Sequence, residues 1–94
     1  MPLPRFLQPY LASYDLSKLD VGSKQVKKEV ITQILNQGNA KTIRWLFNNM
    51  SLKDIIDTLK NPQKGVWSKR SYFYWQKILG VKNKVPEKLF QTKY

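Results

Sequence analysis

Apolar residues recur at helical spacing along most of this chain, and only short breaks separate the segments that follow this pattern. No segment alternates apolar and polar residues for long enough to predict a strand. The predicted helices are Lys24–Gln37, residues 40 to about 50, a third that follows Ser51 and ends at Asn61, and a fourth between Ser68 and Gly80. Helices joined by such short breaks must pack on one another, so we predict a compact all-α fold of four to five short helices.

A chain of 94 residues suffices for a single domain with one modest core. We expect an aromatic and proline-rich entry segment at residues 1–22, a helical core at residues 23–80 and a basic tail at residues 81–94. The sequence also predicts short helical turns at residues 5–8 and 15–20, and a short final helix that starts at Pro86 and carries Leu89 and Phe90.

Each predicted helix of the core starts after a residue whose side chain can accept a backbone N–H group. These predicted caps are Ser23, Asn39, Ser51 and Ser68. Asp54 stands three residues after Ser51, which is the acidic variant of a capping box. Gly38 is predicted to end the first helix in the left-handed conformation, and Leu52 is expected to face the core from the third helix.

The fourth predicted helix has two chemically different sides. Its predicted core side carries Tyr72, Trp75, Ile78 and Leu79, and the opposite side carries Lys69, Arg70, Phe73 and Lys77. Trp67, just before this helix, is expected to cover the core or to contact a groove. A charged outer face is also what solvation alone produces on any surface helix, and Phe73 has the alternative of packing against the N-terminal segment or the tail.

Between Thr58 and Pro86 the chain contains no acidic residue. The same stretch carries seven cations, namely Lys60, Lys64, Lys69, Arg70, Lys77, Lys82 and Lys84. Uncompensated cations repel one another, and a folded state tolerates this poorly unless an anion relieves it. Together with a net charge of +11, this stretch predicts an anionic partner, of which nucleic acid is the commonest. If all seven met duplex phosphates, the salt slope of binding would be about −6.

The third and fourth helices form the outline of a helix-turn-helix, in which the second helix enters the major groove. The predicted nucleic-acid-binding residues are Lys64, Ser68, Lys69, Arg70, Phe73, Tyr74, Lys77, Lys82 and Lys84. Arg70 suits a bidentate contact to guanine, the lysines suit phosphates, and Ser68 at the helix N-terminus suits a phosphate. We therefore predict a basic DNA-binding regulator or antitoxin-like protein with duplex DNA as the favoured partner. Aromatic residues among lysines also suit single-stranded nucleic acid, and nothing in the sequence separates DNA from RNA.

An enzymatic function is not expected. The absence of cysteine and histidine excludes disulfides, Cys/His zinc sites and catalysis by thiol or imidazole. Asp54 and Asp57 lie at i, i+3 and could share a metal or a proton, but Asp54 has a capping role and Asp57 lies beside Lys53 and Lys60. The chain also lacks a glycine-rich phosphate loop. On these grounds together we expect no cofactor and no metal.

The sequence predicts neither membrane insertion nor export. No apolar run approaches the ~20 residues of a membrane span, and the first residues do not form a signal peptide. The absence of cysteine fits a cytoplasmic location.

A protein partner is the alternative to nucleic acid. Phe6, Tyr10 and Tyr14 could form an aromatic docking strip, or they could simply cover the core. A basic protein can also neutralise an acidic enzyme. The sequence leaves open whether the chain acts as a monomer or as a homodimer.

Several short runs of the sequence carry a family resemblance. They are LPRFLQPYL at residues 3–11, DLSKLD at 15–20, ILNQGN at 34–39, IRWL at 43–46 and SKRS at 68–71, followed by Trp75. In these runs the chain resembles a family of small uncharacterised prokaryotic all-helical proteins that are often encoded beside nucleotidyltransferase-type abortive-infection toxins. The resemblance covers nearly the whole chain and implies an antitoxin-like role. The alternative that it implies is a protein-interaction partner or accessory subunit of a toxin-like nucleotidyltransferase without direct DNA contact.

Overall fold

A computed structural model describes residues 4–11, 23–82, 85 and 89–90 of the chain. Its elements are a 3₁₀ helix at Arg5–Tyr10 and four α-helices, α1 at Lys24–Gln37, α2 at Ala40–Asn49, α3 at Leu52–Lys60 and α4 at Lys69–Leu79. These described ranges contain no strand, and the predicted all-α class is confirmed. The first 3₁₀ turn extends beyond the predicted residues 5–8, and the turn predicted at residues 15–20 lies outside the described residues.

Helix α1 occupies the middle of the fold, because α2, α3, α4 and the 3₁₀ helix all pack against it. Its buried residues are Val30, Ile31, Thr32, Ile34 and Leu35. Around them the core is completed by Leu7, Leu11, Leu46, Met50, Ile55, Leu59, Trp67, Tyr72, Trp75, Val81 and Leu89. Burial of a large apolar side chain stabilises the fold by about 1.5–3 kcal/mol, so this shared core is what holds the short helices in place.

Three of the four predicted helix caps are confirmed. The Asn39 and Thr42 side chains each accept the backbone N–H of the other residue, at 3.0 and 2.9 Å. The hydroxyls of Ser51 and Ser68 accept the N–H groups three residues further on, at 3.1 and 3.2 Å. Ser23 is the N-cap residue of α1 as predicted, but its side chain makes no capping hydrogen bond within the described residues.

Two glycines end helices for different reasons. Gly80 ends α4 in the left-handed conformation with φ of 67°. Gly38 ends α1 as predicted, but the left-handed conformation predicted for it is wrong, since its φ is −72° and its ψ is 158°. Gly38 is instead a point of close approach, because a Cβ there would collide with the carbonyl oxygen of Ile34 and lie 2.6 Å from Thr42 Oγ1. The absence of a side chain at Gly38 lets α2 start directly after α1.

Two apolar residues that were predicted to face the core are exposed. Leu52 is 54% exposed, and it is the first residue of α3. Helical side chains lean towards the N-terminus, so a first residue projects beyond the packed length of its helix. Ile78 is 55% exposed because it lies about 90° around α4 from the middle of the buried stripe.

The predicted final helix does not include Leu89 and Phe90. Leu89 is buried, its carbonyl accepts the N–H of Gly65 at 2.8 Å, and Phe90 forms an isolated parallel bridge with Trp67. The start of the predicted helix at Pro86 lies outside the described residues. Pairing with the loop before α4 takes the place of helical hydrogen bonds at these two positions.

Candidate nucleic-acid interface

The inner side of α4 is anchored by two aromatic side chains that also donate hydrogen bonds. Tyr72 is fully buried and its hydroxyl donates to the carbonyl of Leu59 in α3 at 2.8 Å. The Trp75 indole donates to the carbonyl of Leu35 in α1 at 2.9 Å. The prediction that these two rings belong to the core is confirmed, and Trp67 is likewise fully buried.

Asn36 ties the end of α1 to the start of α4. Its amide donates to the carbonyl of Val66 at 2.9 Å, and its Oδ1 accepts the backbone N–H of Ser68 at 2.8 Å. The Ser71 hydroxyl donates to the backbone carbonyl of Asn36 at 3.1 Å. These three bonds fix where α4 begins and therefore which side of it faces outward. The sequence gives little signal for this role, because Asn36 follows the apolar stripe of α1 among other polar residues.

The outer side of α4 carries the five residues that we call the cationic face. They are Lys69, Arg70, Phe73, Tyr74 and Lys77, and all five are exposed. At about 100° per residue they occupy an arc of about 140° around the helix axis. None of the three cations makes an ion pair within the described part of the chain. The predicted orientation of α4 is confirmed for Tyr72 and Trp75, which face inward, and for the three cations, which face outward.

Phe73 combines the two arrangements that the sequence left open. Its ring is 42% exposed on the cationic face. It also packs against Phe90 from the tail at a centroid distance of 5.6 Å and against Tyr72 at 6.1 Å. One edge of the ring is therefore fixed by the core while the other stays accessible to a partner.

The other predicted contacts flank α4. Lys64 is exposed in the loop between α3 and α4, and Lys82 is exposed just after α4. Lys84 lies outside the described residues. Ser68 is half-buried, and its N–H is already engaged by Asn36. A phosphate at this helix end would thus meet the N–H groups of later residues in the first turn rather than that of Ser68.

The carboxylates on α3 border a groove of about 420 Å³ between α1 and α3. Its lining includes Lys24, Lys27, Lys28, Asp54 and Asp57, so charges of both signs meet there. The ammonium of Lys27 lies 3.6 Å from Asp54 Oδ2. The described residues contain no group of three or more potential metal ligands of the His, Cys, Asp and Glu types.

The aromatic residues of the entry segment pack onto the helices. Phe6 meets Trp45 edge to face at 6.4 Å, and the ammonium of Lys41 lies 4.7 Å above the Phe6 ring. Tyr10 is half-buried against the core, whereas Tyr14 lies outside the described residues. Both described rings cover the core and keep part of their surface accessible.

Comparisons with known proteins add no relative to these observations. No family model, no curated protein and no solved structure matches the chain. The resemblance to the toxin-associated family therefore stays a prediction. Among the described residues, no helix is both long enough and apolar enough to cross a membrane.

Proposed function

We propose that this protein is a small basic nucleic-acid-binding module that acts as a DNA-binding regulator or antitoxin-like protein. The observation that carries the proposal is the cationic face of α4. There, three cations without ion pairs in the described part of the chain surround two exposed rings. The other side of the same helix is hydrogen-bonded to α1 and α3. A rigid helix that presents unpaired charge is suited to a polyanion, because binding supplies the counter-charges that folding does not.

In this proposal α3 and α4 form a helix-turn-helix-like pair, and α4 enters the major groove of duplex DNA. The two helices pack against each other, which that arrangement requires. Arg70 would contact guanine through two donors of its guanidinium, and Lys69 and Lys77 would contact phosphates. Lys64 and Lys82 extend the positive surface at the two ends of α4.

The salt dependence of binding gives a quantitative expectation. If Lys69 and Lys77 alone meet phosphates, the salt slope is about −1.8, and affinity falls roughly 12-fold between 50 and 200 mM salt. If Lys64 and Lys82 also take part, the slope is about −3.6 and the fall roughly 150-fold.

The test is a salt series with a labelled duplex and a labelled single strand of the same sequence, using the wild-type protein and Arg70→Glu. We expect slopes in the range given above and weaker binding by the variant. Lys24→Glu is the matched control, since it changes the charge equally on exposed surface of α1. A flat salt response, or equal losses for the two variants, would reject the proposal.

Phe73→Ala separates duplex from single-stranded binding. A base that stacks on an aromatic ring is worth about 1–3 kcal/mol, which corresponds to a loss of roughly 5- to 150-fold on removal of the ring. If duplex DNA is the partner, we expect Phe73→Ala to change affinity much less than Arg70→Glu does. A loss in that range on the single strand alone would assign the site to unpaired bases.

A second candidate function is that of a protein-interaction partner or accessory subunit of a toxin-like nucleotidyltransferase. It is favoured by Phe6 and Tyr10, whose rings stay partly accessible on the surface of the entry segment. We expect a stoichiometric complex with a nucleotidyltransferase encoded beside this protein, stable at high salt and lost on Phe6→Ala. A complex that dissolves at high salt or is indifferent to Phe6 would speak against it.

A further inference from the structure

Three exposed apolar side chains and the buried indole of Trp75 form a surface where Phe47 of α2 meets α4, which we call the α2–α4 patch. The exposed members are Phe47 from α2 and Tyr74 and Ile78 from α4. Phe47, Tyr74 and Ile78 are 37%, 56% and 55% exposed. Large apolar side chains that are exposed together mark a binding surface more often than scattered single ones do.

The patch has a rigid floor. Phe47 packs against Trp75 at a centroid distance of 5.9 Å, and Tyr74 meets the same indole edge to face at 5.1 Å. Trp75 itself is only 8% exposed, and its N–H is bonded to the carbonyl of Leu35. A partner that covers Phe47 and Tyr74 would therefore pay little to order the surface beneath it.

The charges that α2 and α4 bring to the patch all have one sign. Neither α2 nor α4 contains an acidic residue. Arg44 lies one turn before Phe47, and Lys77 lies one turn after Tyr74, and both are exposed. Neither cation makes an ion pair within the described ranges. A surface that complements the patch must combine apolar side chains with carboxylates.

We propose that the α2–α4 patch is the docking surface for an acidic amphipathic helix of a partner protein. Such a helix places apolar residues at i, i+3 or i+4, and i+7 on one side, which would cover Phe47, Tyr74 and Ile78, and its acidic residues would meet Arg44 and Lys77. A second copy of this chain fits less well, because each copy carries a net charge of +11 and would bring like charges together. Nucleic acid leaves the aliphatic side chain of Ile78 without a complementary surface.

The test is selection from a displayed library of random helix-length peptides against the full chain, without nucleic acid present, so that its outcome stands apart from the proposed function. We expect the enriched peptides to combine Asp or Glu with apolar residues at helical spacing. We expect Ile78→Asp to weaken the binding of these peptides at least tenfold. The new carboxylate would lie among the apolar contacts and would repel the carboxylates of the peptide. Leu52→Asp is the matched control, because Leu52 is equally exposed but lies on α3.

Several outcomes would overturn the proposal. These are no enrichment, enrichment of basic or purely polar peptides, and equal losses for Ile78→Asp and Leu52→Asp. Sedimentation of the free protein tests whether a second copy of the chain occupies the patch. A dimer that Ile78→Asp dissociates would assign the patch to self-association instead. Binding of the wild type, but not of Ile78→Asp, to anionic phosphatidylserine vesicles in place of peptide would assign the patch to a lipid surface.

Discussion

The two sides of α4 differ in how completely their polar groups are paired. On the inner side, the Tyr72 hydroxyl and the Trp75 indole each donate to a backbone carbonyl of another helix. On the outer side, Lys69, Arg70 and Lys77 are exposed and make no ion pair in the part of the chain that the structure describes. The inner side of α4 therefore stabilises the fold, whereas the outer side is exposed and can contact a partner.

This difference separates two kinds of experiment. A change on the inner side removes a hydrogen bond whose partner stays buried, which is costly. A change on the outer side alters a solvated group and costs the fold little. If α4 is the binding helix, affinity and stability should respond to different residues of the same short segment.

The largest effect is expected from reversing two charges on the outer side, in Arg70→Glu with Lys77→Glu. Each lost contact is worth about 1–2 kcal/mol, so affinity for nucleic acid should fall roughly 30- to 1000-fold at low salt. The melting temperature should stay within a few degrees of the wild type, because both side chains are exposed. Binding isotherms and thermal unfolding measure the two quantities on the same samples.

The control for this pair is Lys24→Glu with Lys53→Glu, which changes the net charge equally. Both lysines are exposed in the first turns of α1 and α3, where a glutamate also suits the helix dipole. Equal losses of affinity for the two double variants would mean that only the net charge matters, and the distinction between the sides of α4 would lose its functional meaning.

The next largest effect is expected from Asn36→Ala, which removes two of the bonds between α1 and the start of α4. The Val66 carbonyl and the Ser68 N–H would lose their hydrogen bonds to the Asn36 side chain, at a cost of roughly 2–3 kcal/mol in the free energy of unfolding. Urea unfolding followed by tryptophan fluorescence measures this loss. Gln37→Ala is the control, because Gln37 is exposed and its side chain donates to the neighbouring side chain of Gln33 on the same helix. Equal costs at both positions would show that Asn36 does not hold α4.

A smaller effect is expected from Tyr72→Phe, which deletes a single buried hydroxyl and keeps the ring. The carbonyl of Leu59 would lose the donor at 2.8 Å, and the free energy of unfolding should fall by about 1–2 kcal/mol. Affinity for nucleic acid, measured well below the unfolding transition, should not change. A variant that keeps full stability but binds nucleic acid less tightly would place Tyr72 at the interface rather than in the core.

Local signals in the sequence predicted most of the helical structure. Caps such as Asn39 and Ser68 and the end of α4 at Gly80 were predictable, because each acts on its own few neighbouring residues. The outward direction of Lys69 and Arg70 follows from the period of a helix.

The parts that the sequence did not predict depend on residues that are distant along the chain. Asn36 bonds to residues about thirty positions away, and no local pattern records such a partner. Leu89 pairs with the loop before α4 instead of continuing a helix, because a long-range hydrogen bond overrides local propensity there. The α2–α4 patch likewise needs Phe47 of α2 to pack against Trp75 of α4, and no local pattern records a contact between residues so distant along the chain.

The smallest effect on the free energy of unfolding is expected from Thr32→Val. Its sign tests whether paired and unpaired polar groups contribute differently to stability. The Thr32 hydroxyl on α1 is buried, and it has no hydrogen-bond partner in the part of the chain that the structure describes. If stability comes from bonds that are made, an unpaired buried hydroxyl is a cost rather than a support. Valine keeps the shape without this cost, so the free energy of unfolding should stay the same or rise by up to about 1 kcal/mol. If Thr32→Val instead clearly lowers the free energy of unfolding in urea, the hydroxyl makes a stabilising hydrogen bond in the native protein. Unpaired and paired buried polar groups could then not be told apart by their contacts in the structure.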